Sequence, residues 1–250
     1  ERDNMGSPEI AMIIAAGIPV VADRGRGFMH NKFAIVDGEY VWTGSYNITP
    51  RGGRTNNNNA ILIRSPGLAE LFREEFEEMF EHRLFGGGIR SLRSVFGARG
   101  VEVEGVRIEA FFSPEDAVRD EIVRLIRRAR HSVCFMAFTF TSAEIAEAMA
   151  QARARGVAVA GVVEGYGAMA GYSRYVLLQA AGCAVRRDRG ETTMHHKVII
   201  IDGEIVVTGS YNFTANAGLI NDENLLVIRS ARVAAEYLAE FARLYGAAGP

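Results

Sequence analysis

Two stretches of this chain, AAGIPVVADRGRGFMHNKFAIVDGEYVWTGSYNIT (15–49) and AAGCAVRRDRGETTMHHKVIIIDGEIVVTGSYNFT (180–214), align without a gap at a constant offset of 165 and agree at 21 of 35 positions. The register runs on through Asn59 and Asn224, then through Arg64-Ser65 and Arg229-Ser230. It ends in a closing helix where Leu68, Phe72, Phe76 and Met79 answer to Val233, Tyr237, Phe241 and Leu244. Repetition of this length and identity means two homologous modules. Their expected limits are 1–83 and 105–250, joined by a Gly- and Arg-containing connection over 84–104.

The second module reads as alternating elements. VRIEAFF (106–112) is a strand, and Pro114 to Arg130 carries the period of an amphipathic helix through Val118, Ile122, Val123 and Ile126. HSVCFMAFTF is a buried strand, Thr141 or Ser142 caps the helix AEIAEAMAQARARG, and VAVAGVVE is a second apolar strand. A further helix and strand, two strands around Asp-Gly, one more strand and a last helix complete the unit. The pattern predicts an α/β fold: two homologous α/β/α sandwich modules with mixed, largely buried sheets, related by a pseudo-twofold axis. In repeat one the counterpart of Val106 to Gly165 would need roughly 60 residues ahead of Glu1. The first module is therefore expected to be N-terminally incomplete, shortened from a longer parent.

Composition narrows the class. With 250 residues, 28 basic and 30 acidic groups and 48% hydrophobic content, the chain is ordinary globular protein, not collagen, a disordered tail or a small disulfide scaffold. No run of 18 apolar residues offers a membrane-spanning helix, so membrane contact, if any, is expected to be peripheral. The net charge of −2 supplies no global field to draw in nucleic acid. Cys134 and Cys183 lie in strand-like runs and read as free thiols. Of the 28 basic residues only Lys32 and Lys197 are lysines, and they occupy equivalent positions in the two repeats.

Each repeat carries His-x-Lys, an Asp five residues after the Lys, and Gly-Ser-x-Asn. These are His30, Lys32, Asp37, Gly44, Ser45 and Asn47, and again His195, Lys197, Asp202, Gly209, Ser210 and Asn212. In a strand, residues two apart share a face, so each His and Lys enter one pocket, while His196 points the other way. The Asp-Gly that follows is a hairpin signal, which folds Gly-Ser-x-Asn back beside His-x-Lys. Lys and Asn suit the non-bridging oxygens of a phosphoryl group, and a histidine suits nucleophilic attack or proton transfer near neutral pH. Metal chemistry fits poorly: His195 and His196 are adjacent, no His-x-x-Glu-His type spacing occurs, and no metal or cofactor is expected. His82 and His131 sit beside helix ends where a cation is favourable, and belong to no repeated motif.

The duplicated motif resembles that of the phospholipase D superfamily. FFSPED (111–116), FTFTS (138–142) and ARGVAVAGVVE (154–164) resemble its short nuclease-like and mitochondrial-type branch. The resemblance implies one active site formed between two modules of a single chain, and metal-independent cleavage of a phosphodiester. In that chemistry one His attacks phosphorus, the other protonates the leaving oxygen, and water or another alcohol resolves the phosphohistidine. It also implies roles: His30 and His195 as the catalytic pair, with Lys32, Lys197, Asn47 and Asn212 gripping phosphate. Ser45 and Ser210 assist binding, Gly44 and Gly209 allow close backbone approach, and Asp37 and Asp202 are structural. Glu223 fits the family's acidic residue that accepts a hydrogen bond from a catalytic imidazole, and its repeat-one equivalent is Asn58.

That asymmetry assigns roles. If the pairing crosses between modules, Glu223 stands behind His30, where a carboxylate stabilises a cationic phosphohistidine, and Asn58 orients His195 without adding charge. His30 is then the nucleophile and His195 the general acid; pairing within each module reverses the assignment. The expected substrate is a phospholipid or a nucleic acid. Alternatives are a DNA- or RNA-specific endonuclease, a phosphatidyltransferase like cardiolipin synthase, or a binding module for nucleic acid or a membrane surface that lacks turnover.

Overall fold

The computed structural model describes residues 5–86 and 99–249. The first repeat runs α1 (Pro8–Ala15), β1 (Phe33–Val36), β2 (Tyr40–Gly44), α2 (Pro50–Arg54), β3 (Asn56–Asn57), β4 (Ala60–Arg64) and α3 (Pro66–Phe80). The second begins with β5 (Arg99–Val103), β6 (Val106–Ser113), α4 (Val118–Arg128), β7 (Ser132–Ala137), α5 (Ala143–Ala154) and β8 (Ala158–Val163). It continues with α6 (Tyr175–Ala180), β9 (Ala184–Arg187), β10 (Thr193–Met194), β11 (Lys197–Ile201), β12 (Ile205–Gly209), α7 (Ala215–Leu219), β13 (Glu223–Arg229) and α8 (Ala231–Ala247). Among the described residues no helix is long and apolar enough to cross a membrane.

The repeat is visible in strand register. Tyr40 pairs with Arg64 as Ile205 pairs with Arg229, and Ile35 opposes Val41 as Ile200 opposes Val206. Both hairpins turn through Asp then Gly in the left-handed region, Asp37 (φ 55°) with Gly38 (φ 65°) and Asp202 (φ 54°) with Gly203 (φ 68°). A short polar side chain and a glycine are the residues that enter this region at least cost.

What surrounds the hairpins differs. β1, β2 and β4 form a three-stranded antiparallel sheet with β2 central, whereas β11 and β12 lie inside an eight-stranded mixed sheet of order β5-β6-β13-β12-β11-β7-β8-β9. Strand β5, within the 84–104 stretch, forms an edge of that large sheet, while 87–98 lie outside the described residues. One face of the large sheet, with Phe135, Ile199 and Val227, is covered by α4 and α5 through Ile122, Ile126 and Met149. The opposite face, with Val198, Ile200 and Leu226, packs against α8 through Phe241 and Leu244 and against Leu68 and Phe72 of α3. Helix α3 also covers the inner face of the small sheet. The small sheet's outer face is open among the described residues, with Leu62 61% and Val36 47% exposed.

Two local readings are sharpened. Helix α4 begins at Val118, not Pro114, because the Asp116 carboxylate accepts the Phe112 N–H at 2.8 Å and the Asp116 N–H returns to the Phe112 carbonyl, closing a turn first. Ser142, not Thr141, caps α5 by accepting the Ile145 N–H.

Candidate active site

The segment leading into each motif histidine pairs with the opposite module. Thr193 and Met194 of β10 lie parallel to Asn56 and Asn57 of β3, and at the equivalent positions Met29 bridges Asp222. The His195 N–H donates to the Asn57 carbonyl (3.0 Å) and the His30 N–H to the Asp222 carbonyl (2.9 Å). Each histidine is thereby set against the next residue of the other module. His30 Nδ1 lies 2.6 Å from Oε2 of Glu223, and His195 Nδ1 lies 2.7 Å from Oδ1 of Asn58. The pairing crosses.

Both partners are held from behind. Glu223 is fully buried and accepts from Ser210 Oγ (2.7 Å) and Asn221 Nδ2 (3.3 Å). Asn58 Oδ1 accepts from Ser45 Oγ (3.0 Å), while its Nδ2 donates to the Gly52 carbonyl (3.0 Å). Those contacts fix which way the amide faces, so an acceptor oxygen meets each imidazole. A neutral imidazole facing an acceptor carries its proton on Nδ1, leaving Nε2 for the substrate. In the second module the carbonyl equivalent to that of Gly52, on Ala217, is served instead by Ser113 Oγ from β6. The amide at Asn58 thus does two jobs, orienting a histidine and satisfying a helix carbonyl that a carboxylate cannot donate to.

The lysines are placed alike. Lys32 Nζ donates to the His30 carbonyl (2.7 Å) and Lys197 Nζ to the His195 carbonyl (3.0 Å). Lys197 also lies 3.3 Å from His195 Nε2 and over the Phe138 ring at 5.0 Å, and that ring stands 4.7 Å from the His195 imidazole. Both lysines are buried. Burial, then the neighbouring Lys32, pulls Lys197 well below the ordinary lysine range, with Glu223 opposing. Burial first, then Lys197, Lys32 and His30, push His195 down to about 3. Burial and the crowding of basic groups thus favour the uncharged forms of His195 and Lys197.

The remaining motif residues build the walls. Gly44 (φ 148°) and Gly209 (φ 150°) leave no room for a side chain: a Cβ would stand 2.4 Å from the Asn59 carbonyl oxygen and 2.2 Å from that of Asn224. The same carbonyls accept the N–H of Ser45 and Ser210, each at 3.0 Å. Asn47 and Asn212 are half-buried at the entries to α2 and α7, and Asn212 Oδ1 is buried without a hydrogen-bond partner among the described residues. Asp202 accepts the backbone N–H of Arg130, His131 and Ser132, tying the β11–β12 turn to the start of β7. Asp37 is exposed at the matching turn.

Two asparagines beside the named residues latch the modules together. Asn224 Nδ2 donates to Thr43 Oγ1 (2.6 Å) and its Oδ1 accepts the Lys32 N–H (3.3 Å). Asn59 Oδ1 accepts from Thr208 Oγ1 (2.8 Å), and its Nδ2 lies 3.1 Å from Nδ1 of the buried His196. Asn59, Asn224, Thr43 and Thr208 were readable as identities at the 165 offset, although chemistry gave no reason to single them out. On the far strand face His196 Nε2 meets Glu240 (3.3 Å), as Asn31 Nδ2 meets Glu75 (3.2 Å). Beside Phe138 opens a cavity of about 190 Å³ lined by Thr139, Thr141, Glu164, Tyr166 and Tyr172.

Against known proteins, the family described as "Cardiolipin synthase, PLD-like domain" matches residues 3–80 and 122–245. The mitochondrial cardiolipin hydrolase of Xenopus tropicalis is 35% identical over 130 residues, which are 52% of this chain and 62% of that protein. The phospholipase D of Rickettsia bellii is 36% identical over 132 residues, 53% of this chain and 66% of that protein. The chain thus spans less than two thirds of the length of these relatives. Nuc from Salmonella typhimurium, a phospholipase D family member of known crystal structure, matches with a TM-score of 0.55 and 31% identity over 58% of this chain and 97% of that one. The phosphatidylserine synthase of Haemophilus influenzae shares the fold, with a TM-score of 0.63 at 12% identity over 87% of this chain and 62% of that one.

Proposed function

The chain belongs to the cardiolipin synthase, phospholipase D-like domain family, and from that premise we propose that it is a metal-independent phosphodiesterase acting through a phosphohistidine. The observation that carries this reading is the crossed pair: two imidazoles from two copies of one motif, each held at Nδ1 by the opposite module, beside two buried lysines.

In this mechanism Lys32 and Lys197, with Asn47 and Asn212, take up the phosphoryl oxygens. His30 Nε2 attacks phosphorus as the bond to the leaving oxygen breaks, and His195 Nε2 gives that oxygen its proton. Water then attacks the phosphohistidine, with His195 as base, and releases His30. Glu223 supports the positive charge that His30 carries while phosphorylated. His195 is deprotonated in the free protein, so it gains its proton with the substrate, whose negative charge offsets the lysines.

A phospholipid is the favoured substrate. The net charge of −2 supplies no global field to draw in a polynucleotide backbone. Exposed apolar side chains stand close to the motifs in sequence: Phe28 two residues before His30, and Ile48 next to Asn47. Tyr166 and Tyr172, also exposed, line the cavity beside Phe138. These fit peripheral contact with a lipid surface.

The test is hydrolysis of an aryl phosphodiester in chelator by wild type, His30→Ala and His195→Ala, followed by a panel of phosphatidylcholine, cardiolipin, single-stranded DNA and RNA. Turnover confined to wild type, with a lipid preferred, is the expected result. Activity surviving loss of both histidines would sink the enzyme assignment, and preference for DNA or RNA would transfer the site to nucleic acid.

A further inference from the structure

One cavity beside the site is not used by the motif residues. It measures about 190 Å³ and is lined by Phe138, Thr139, Thr141, Glu164, Tyr166 and Tyr172. Phe138 and Glu164 directly follow β7 and β8, which run parallel, and the carboxyl ends of parallel strands are where such sheets leave a crevice for a ligand. Both are pinned there: the Phe138 N–H donates to the His196 carbonyl and the Glu164 N–H to the Ala137 carbonyl, each at 2.9 Å. The Phe138 ring belongs to the cavity and to the active site at once, since it lies 4.7 Å from the His195 imidazole and 5.0 Å from Lys197 Nζ.

The chemistry of the walls is selective. Glu164 is held by its own loop, Oε1 accepting the Tyr166 N–H (2.9 Å) and Oε2 the Gly167 N–H (2.7 Å), and each carboxylate oxygen keeps a further lone pair for a ligand. Among the described residues Glu164 has no salt-bridge partner. The guanidinium of Arg174, which follows the loop, donates to the Thr141 carbonyl (2.9 Å) and faces Glu144 of α5. Tyr166 and Tyr172 add two exposed rings. A carboxylate among three aromatic rings suits a cation, because the ring faces attract it and the carboxylate offsets its charge. The volume lies below the roughly 300 Å³ at which pockets for drug-sized ligands begin, which suits a headgroup rather than a nucleoside or an acyl chain.

We propose that this cavity is the leaving-group subsite and that it selects an alcohol carrying a positive charge, of the choline or ethanolamine class. The proposal rests on the phosphodiesterase reading above, with His195 as the general acid. As His30 Nε2 bonds to phosphorus, the bond from phosphorus to the alcohol oxygen breaks and that oxygen takes the proton of His195. The departing alcohol therefore lies on the His195 side, against Phe138, with its ammonium toward Glu164. Lysines on the phosphate and a carboxylate on the ammonium give the site the reverse charge pattern of a zwitterionic diester. Glu164 is its specificity-determining residue.

The experiment uses the full chain and three water-soluble dihexanoyl phosphatidyl esters: choline, ethanolamine, and neohexyl, the uncharged isostere of choline in which carbon replaces the quaternary nitrogen. The faster of the two cationic esters is expected to exceed the neohexyl ester by about tenfold in kcat/KM, and Glu164→Gln to bring that ratio close to one. The ratio compares substrates within one protein, so a general loss of structure does not move it. A wild-type ratio near one, or a ratio that Glu164→Gln leaves intact, overturns the proposal. If Glu164→Gln does not fold, Tyr172→Ala, at an exposed ring, takes its place and should lower the ratio by about threefold; an unchanged ratio is equally decisive. Binding of free choline, ethanolamine and uridine is followed separately by NMR. A cation that binds wild type and not Glu164→Gln is expected, and uridine bound in its place overturns the proposal. If wild type turns over no diester, the phosphodiesterase reading fails and the leaving-group role with it, while the binding measurement still decides whether the cavity takes a cation.

Discussion

His30 and His195 sit on backbones that match strand for strand, yet one is backed by a buried carboxylate and the other by a carboxamide. The scaffold is symmetric in every element that sets position: the parallel bridge, the N–H to the opposite carbonyl, the lysine on the histidine carbonyl, the serine behind the partner. Directly behind the two imidazoles the difference is one of charge. In the mechanism proposed above, symmetric placement lets both imidazoles serve one phosphorus, and asymmetric charge suits one to holding a positive phosphohistidine and the other to releasing a proton.

The hardest blow to this division is removal of each histidine in turn. His30→Ala is expected to lower kcat/KM by about ten-thousandfold or more on every diester, since no covalent intermediate can form. For His195→Ala the loss depends on the leaving group: about a hundredfold or more for an alkyl alcohol, and within about tenfold for a nitrophenol that departs without a proton. Rapid-quench trapping should find phosphate on His30 in the His195→Ala protein. Label on His195, or a leaving-group dependence that follows His30 instead, would reverse the roles.

Much of this was legible in the chain. The 165-residue offset, the two lone lysines and the pairing of Glu223 with Asn58 in the alignment all precede any coordinates. Whether the backing crosses between modules was not legible, because it depends on the parallel bridges of Met29 to Asp222 and Met194 to Asn57, too short to show a strand pattern. Asn59 and Asn224 stood out as equivalent positions of the repeat, but their role was not legible, for another reason. Asparagine in a turn-rich run such as NNNN (56–59) reads as a loop former, and only tertiary structure reveals that the last one reaches Thr208 and His196.

Making the two backings alike gives the next largest effect. Asn58→Asp places a carboxylate behind His195, which raises its proton affinity from a value near 3 and moves the alkaline limb of the kcat/KM profile to higher pH. The same change removes the Nδ2 bond to the Gly52 carbonyl, at a cost of about 1–2 kcal/mol of stability. Glu223→Gln makes the opposite equality, and should slow formation of the phosphoenzyme by about ten- to a hundredfold without removing the site. If Asn58→Asp leaves the pH profile where it was, the charge difference behind the two histidines has no catalytic meaning.

The smallest effect separates the two turn aspartates, which are identical in sequence and conformation but not in what they hold. Burial raises the Asp202 carboxyl, but three backbone donors, from Ser132, Arg130 and His131, outweigh it and keep the group below its ordinary value. A carboxyl group whose folded pKa is depressed stabilises the fold above the unfolded pKa of about 3.9 and loses that contribution as pH falls through the folded value. Asp202→Asn, with one acceptor oxygen where there were two, should therefore cost about 1–2 kcal/mol at pH 7, lowering Tm by about 3 to 6 °C. The gap from wild type should close as pH drops below about 4. Asp37→Asn should leave Tm unchanged across the same range, since Asp37 is exposed at a hairpin whose outer strand β1 is a sheet edge among the described residues. Equal losses at both sites would mean that the carboxylate serves its own turn, through the local backbone, and not the strand that β7 lays beside β11.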